Sequence, residues 1–297
     1  MIKGIGVSLC ALLLAGCAAG PEVARAPVAP SARYVAMGSS FAAGPGVTDS
    51  ADSPATRCTR SRDNYARQLA RLRQLDLVDV SCGGATSTHL LGPWNELAPQ
   101  IDALTADTAL VTITIGGNDV GYVGRLFAAS CKGGSELPAS AAAMCKGMAA
   151  RQQAGGPSAS LPAIPTEAAW ATLAVSLDRI TAEVRRRAPR ARLIFVDYVT
   201  LLPSGASCPQ VPLSADDAAS ARATARRLAQ ETAAAAKRAG AEVLRASNLS
   251  QGHDACAAEP WANGFVPSQG GAPFAPYHPN LAGMTAIAAA LDRMLGR

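Results

Sequence analysis

Short apolar, β-branched runs alternate with helix-periodic segments along most of the 297-residue chain. This alternation predicts an α/β fold, a three-layer α/β/α sandwich with a central parallel sheet. Composition supports one large domain: 49% of residues are hydrophobic and 16% charged, ample for a core and too weakly charged for disorder. No internal repeat and no long interior linker suggests a second domain. The formal charge of +5 is spread thinly. Its one tight basic cluster, Arg185 to Arg187, reads as the solvated end of a helix, so nucleic acid is not an expected partner.

The N-terminus stands apart from this pattern. Lys3 precedes an apolar run from Ile5 to Leu14, and Leu14-Ala15-Gly16-Cys17 closes it with small residues before a cysteine. The run is too short to span a bilayer. It resembles a bacterial lipoprotein signal, which implies removal of residues 1–16, lipidation of Cys17 and a membrane as partner through that anchor. Residues 17–32, with Pro21, Pro27 and Pro30 among small residues, read as a flexible tether, leaving 33–297 as the folded domain.

Within that domain, Tyr34 to Met37 is a short apolar strand ending at Gly38. Tyr65, Leu69, Leu72 and Leu75 fall at helical spacing in 64–75, and a strand follows over 77–81. Ala109 to Ile115 is β-branched and stopped by Gly116-Gly117, as a central strand should be. Residues 132–165, rich in Ala, Gly, Ser and Pro, read as a long excursion with little regular structure. Beyond it come a helix over 166–187, a strand over 192–196, a helix over 216–239, a strand over 241–245 and a closing helix over 280–295. In such sheets the chemistry collects at the carboxyl ends of the strands.

Apart from Cys10 and Cys17, six cysteines remain: Cys58, Cys82, Cys131, Cys145, Cys208 and Cys256. An even number in an exported chain suggests disulfides. Six cysteines allow 15 pairings, among which the sequential set is the most local. There is no Cys-x-x-Cys pair, and only Cys256 lies within zinc-ligand spacing of a histidine, His253, so a structural zinc is not expected.

Four segments lie at or near strand ends: Gly38-Ser39-Ser40-Phe41, Cys82-Gly83-Gly84-Ala85, Gly116-Gly117-Asn118-Asp119 and, before the last helix, Tyr277-His278-Pro279-Asn280. Taken singly they have plain structural readings: Ser39, Ser40 and Asn118 could cap helices, and the glycine pairs could mark turns. Together and in this order they resemble the SGNH, or GDSL, hydrolase family. The likeness is greatest to its secreted, disulfide-rich lipases, through Cys58-Thr59-Arg60-Ser61 with Asn64-Tyr65 and Gly252-His253-Asp254-Ala255-Cys256 with Trp261 and Gly264.

The resemblance implies a flavodoxin-like SGNH fold and three sequential disulfides. It also implies that Ser40 is a nucleophile and His278 its base. The backbone N–H groups of Ser40 and Gly84, with the Asn118 amide, would form an oxyanion hole. Two positions depart from the family pattern. Ser39 stands where an acid follows the first glycine, and Ala275 stands where an acid precedes the histidine by three residues. A backbone carbonyl, that of Ala275 or Pro276, is therefore expected to orient the imidazole, with Asp254 as the alternative acid and Asp119 structural.

The expected activity is serine-dependent hydrolysis of a lipid or acyl ester by a monomer with a Ser-His dyad, an acyl transfer that calls for no metal or other cofactor. The alternatives are an O-acetyl esterase acting on cell-wall or extracellular polysaccharide and a non-catalytic lipoprotein that binds acyl chains or glycans.

Overall fold

The computed structural model describes residues 1, 27–132, 137–153, 164–267 and 274–296. Five strands form one wholly parallel sheet: β1 (Arg33–Gly38), β2 (Asp76–Asp79), β3 (Thr108–Thr114), β4 (Arg192–Val196) and β5 (Glu242–Leu244), in the order β2-β1-β3-β4-β5. Val35 lies level with Val78 on one side and Val111 on the other, and Val111 with Leu193. Val35, Val111 and Leu193 are buried, whereas Val78 on β2 is only partly so, which is why β1, β3 and β4 read as continuous apolar runs.

Nine α-helices surround the sheet among the described residues: α1 (Ser40–Ala43), α2 (Tyr65–Arg73), α3 (Ser87–Leu91), α4 (Tyr122–Ser130), α5 (Ala139–Gln153), α6 (Glu167–Arg187), α7 (Ala215–Arg238), α8 (Ala246–Leu249) and α9 (Leu281–Leu295). The crossover from β1 to β2 runs one way across the sheet, and those from β3 to β4 and β5 run the other. Right-handed crossovers then put α2 on one face, where it packs against α9, and α6 and α7 on the opposite face. The order reverses between β1 and β3, and in open α/β sheets ligands bind at such a switch point, beyond the carboxyl ends of the strands.

The long helices begin where the sequence offers a side-chain cap. Asn64, Thr166, Ser214 and Asn280 accept the backbone N–H of Arg67, Ala169, Asp217 and Gly283. Each such cap contributes ~1 kcal/mol. Two tyrosines are wholly buried between the sheet and its helices, and their hydroxyls are satisfied by strand threonines: Tyr34 by Thr112 at 2.7 Å and Tyr65 by Thr114 at 2.9 Å. Among the described residues no helix is long and apolar enough to cross a membrane.

The expected strands and long helices are present with shifts of one or two residues at their ends. Two expectations are corrected. The 132–165 excursion contains the 15-residue helix α5, because Ala139-Ser140-Ala141-Ala142-Ala143-Met144 has high helix propensity and Cys145 is bonded to Cys131. The 17–32 tether ends earlier than expected. Val28 is buried, the Ser31 N–H donates to the Gln74 carbonyl, and the Ala32 carbonyl accepts from Asp76. Val28, Ser31 and Ala32 are thus tied to the domain, while Ala29 and Pro30 between them are exposed. The signal over 1–16 and Cys17 fall, apart from Met1, outside the described residues.

The disulfides are sequential: Cys58–Cys82, Cys131–Cys145 and Cys208–Cys256, separated by 24, 14 and 48 residues. Closing a longer loop removes more entropy from the unfolded chain. Replacing both Cys208 and Cys256 by serine is therefore expected to lower the unfolding free energy by about 4 kcal/mol, against about 3 kcal/mol for the Cys131, Cys145 pair. Urea titration of the two variants beside the parent protein checks the order.

Candidate active site

Strand β1 ends by driving its chain sharply into α1. Gly38 has φ +141°, and a Cβ there would lie 2.3 Å from the Thr114 carbonyl oxygen, so only glycine fits against β3. Its amide is held on the other side by Gln100, whose side chain accepts the Gly38 N–H at 2.7 Å and donates to its carbonyl at 3.0 Å. Ser39 occupies the N-cap position of α1 but makes no capping bond with its side chain; Ser40 is the first helical residue. The plain reading of Ser39 and Ser40 as side-chain caps therefore fails. At the other end of α1 the Ala43 carbonyl accepts from the Ser61 N–H and Asn64 Nδ2, which fixes the short helix.

The segment before α9 brings His278 to this point. Its Nε2 lies 2.8 Å from Ser40 Oγ, across 238 residues of sequence, and its Nδ1 lies 2.7 Å from the Pro276 carbonyl oxygen. A carbonyl can only accept, so the proton of the neutral ring sits on Nδ1 and Nε2 offers its lone pair to the serine hydroxyl. Burial disfavours the imidazolium and outweighs the Pro276 hydrogen bond, bringing the His278 pKa down to about 4. Near neutral pH the ring is uncharged and able to take a proton. Phe41 packs beside it with ring centroids 5.1 Å apart.

Of the two carbonyls expected to orient the ring, Pro276 does so. The Ala275 carbonyl instead accepts from Asn263 Nδ2 at 3.0 Å. Asp254 plays no part here, its carboxylate being turned onto the Cys256 N–H at 2.9 Å.

The other segments converge on the same strand ends. Gly84 follows β2 with φ +84°, and a Cβ there would meet the Trp94 ring at 3.2 Å. Its N–H and that of Ser40 have no hydrogen-bond acceptor among the described residues. For Ser40 this follows from its place in the first turn of a helix. Asn118, after β3, donates from Nδ2 to the Ala85 carbonyl at 2.8 Å, which leaves its second amide proton for another acceptor.

Asp119 is structural, as expected. Its carboxylate accepts the Ser87 N–H and hydroxyl, tying the segment after β3 to the one after β2. Burial raises its pKa, against those hydrogen bonds. Cys58–Cys82 lies beside Gly83, whose N–H donates to the Cys58 carbonyl at 2.9 Å.

Gln100, Asn263 and Tyr198 carry no sequence motif, yet each holds one of these segments. Tyr198 alone had a usable signal, since it lies two residues beyond the end of β4.

Comparison with known proteins gives a consistent result. The sequence profile of the GDSL-like lipase/acylhydrolase family matches residues 36–286. Lipase 2 of Streptomyces coelicolor is 33% identical over 280 residues, covering 93% of this chain and 90% of its own. The crystal structure of an extracellular lipase from Streptomyces rimosus superposes with a TM-score of 0.65 at 26% identity, over 88% of this chain and 98% of that one. Phospholipase A1 from Streptomyces albidoflavus shares the fold, with a TM-score of 0.66 at 24% identity over 89% and 99% of the two chains.

The state of His278 is directly measurable. In ¹⁵N NMR of the folded protein, its ring is expected to be the neutral Nδ1–H tautomer at pH 6, titrating near pH 4. The folded pKa lies below the unfolded value near 6.5, so the unfolded chain binds this proton first. The contribution to stability is then complete above about pH 6.5 and is lost as the pH falls through about 4. A titration midpoint at 6.5 would contradict the burial argument.

Proposed function

The chain belongs to the GDSL-like lipase/acylhydrolase family and is a carboxylic ester hydrolase, and from this premise we propose that it cleaves lipid or fatty-acyl esters through an acyl-Ser40 intermediate, using a Ser40–His278 dyad. The observation that carries the proposal is the 2.8 Å contact between Ser40 Oγ and His278 Nε2, with the tautomer set by Pro276.

In the first step Ser40 Oγ attacks the ester carbonyl carbon and its proton passes to His278 Nε2. Negative charge collects on the former carbonyl oxygen, where the N–H groups of Ser40 and Gly84 and the Asn118 amide donate hydrogen bonds to it. The imidazolium returns its proton to the leaving alcohol as the C–O bond breaks. Water then attacks the acyl-serine, giving its proton to Nε2, and the acid departs as Ser40 recovers that proton. This set of groups favours catalysis over binding alone, because an uncharged histidine on a serine hydroxyl contributes nothing to holding an acyl chain.

The preference for lipid or fatty-acyl esters rests on the lipase relatives and on the N-terminal sequence. Residues Ile5 to Cys17 support export with a lipid anchor on Cys17, which would hold the enzyme at a membrane. Three disulfides support export as well, since such bonds persist in oxidising compartments.

Two experiments test the proposal. A fluorophosphonate probe is expected to label Ser40 alone, as read by mass spectrometry, and Ser40→Ala is expected to lose both label and ester hydrolysis while keeping its unfolding midpoint; a folded protein that takes no label overturns the assignment. In a series of p-nitrophenyl esters, kcat/KM is expected to rise from acetyl toward longer acyl chains. A maximum at acetyl with no turnover of longer chains would reject the lipid ester and favour an O-acetyl esterase.

A further inference from the structure

We infer that Tyr198 is a positioning residue for the reaction, a buried hub that holds the serine segment and the Asn118 segment in register through Ser39 and Gly117. The inference rests on the assignment of Ser40 and Asn118 above and adds to it a residue that touches neither substrate nor proton.

Tyr198 follows β4 and is 6% exposed. Its hydroxyl oxygen accepts the Gly117 N–H at 2.8 Å, one residue before Asn118. The same hydroxyl lies 3.4 Å from Ser39 Oγ, one residue before Ser40. The ring stacks at a tilt on Phe41, 4.5 Å between centroids, and Phe41 in turn lies against His278. One side chain therefore reaches the nucleophile's segment, an oxyanion donor's segment and, through one ring, the base.

The fit is close. A Cβ on Gly117 would come within 2.7 Å of the phenol oxygen, so the glycine leaves the room that the hydrogen bond needs. Burial raises the phenol's pKa, so it keeps its proton at working pH. Having accepted from Gly117, it has that one proton to direct toward Ser39.

Ser39 stands where the family pattern has an acid. Here the Ser39 hydroxyl lies against Tyr198, and Tyr198, two residues beyond β4, supplies the acceptor for the Gly117 N–H. The two contacts differ in strength: the bond to Gly117 has ordinary length, whereas 3.4 Å is long for a pair of hydroxyls. Most of the effect should then lie in the Gly117 bond.

Tyr198→Phe removes one oxygen and leaves the ring on Phe41. Rates are read per active site titrated with a fluorophosphonate, so that misfolded protein does not count. For Tyr198→Phe, kcat per titrated site is expected to fall about 10- to 100-fold with KM within about twofold, since small misplacement of an oxyanion donor is felt in the transition state. The inhibition constant of a trifluoromethyl ketone, which forms an oxyanion on the serine, should weaken by the same factor. Ser39→Ala should fall less, and the double variant should be no slower than Tyr198→Phe alone, because the two act as one unit.

A normal kcat per titrated site in Tyr198→Phe, with any loss confined to the number of sites, would overturn the inference. So would independent, multiplying losses in the double variant. If the parent protein itself neither labels at Ser40 nor hydrolyses esters, the assignment of the dyad fails instead.

Discussion

The hydrogen bond from His278 Nδ1–H to the Pro276 carbonyl is the constraint on which the rest of the site depends. Without it the imidazole could carry its proton on Nε2 and face Ser40 as a donor, which is useless for removing a proton from the hydroxyl. The carbonyl two residues before the histidine can reach its own neighbour's ring only if the chain between them turns back. It does so at Tyr277, a non-glycine residue with φ +54°. Such a conformation costs on the order of 1 kcal/mol and persists only where its surroundings hold it. Here the Tyr277 N–H donates to the Gly264 carbonyl, its hydroxyl meets Ser130 at 2.7 Å, and the His278 carbonyl accepts from the Asn263 N–H at 2.9 Å. Asn263 also takes the Ala275 carbonyl through its side chain. Asn263 thus occupies the Ala275 carbonyl, and the Pro276 carbonyl is left for the ring.

A carbonyl fixes the tautomer but brings no full negative charge, and burial makes the resting imidazole a weak base with a pKa near 4. The same burial acts differently once reaction starts. In the proposed mechanism, proton transfer to His278 is coupled to formation of the oxyanion, so the positive and negative charges appear together and a few ångströms apart. Their attraction is larger in a poorly polarisable surrounding than in water. Burial therefore penalises an isolated imidazolium in the free enzyme and strengthens an ion pair that exists only on the way through the transition state, which is the differential that catalysis requires. In a site of this kind the substrate's own oxygen supplies the counter-charge that a third carboxylate supplies elsewhere.

The sheet and long helices were legible in the sequence because their signals are local. Ala109 to Ile115 can be read without knowing its neighbours, and Asn280 announces the start of α9 by its own side chain. Ser40, Gly84, Asn118 and His278 were legible through a resemblance, in which four weak motifs in order reinforce one another. What escaped the sequence is long-range. Gln100 reaches Gly38 across 62 residues and Tyr198 reaches Ser39 across 159, and no spacing rule links such pairs. The short helices α1, α3 and α8 have one turn each, too little for a period to show. The alanine-rich start of α5 was hidden by the glycine and proline on either side of it.

The disulfides follow from the same division between periodic and irregular segments. Central strands and helices are held by burial on two faces, as the full burial of Leu110, Val111 and Ile113 attests. The segments beyond the carboxyl ends of the strands have no such periodic face, yet the candidate site is built from them and from the first turn of α1. None of the three disulfides joins one strand to another. Cys58–Cys82 adjoins the Gly83–Gly84 turn, Cys131–Cys145 joins the end of α4 to α5, and Cys208–Cys256 joins the stretch after β4 to the one after β5. Covalent closure thus falls outside the strands of the sheet. The segment carrying Gly84 is fixed by the first bond, by Asp119 on Ser87 and by Asn118 on Ala85, three ties of different chemistry around one N–H. In the proposed oxyanion hole, an N–H held in this way is preorganised for a charge not yet present, and no reorganisation is needed when that charge forms.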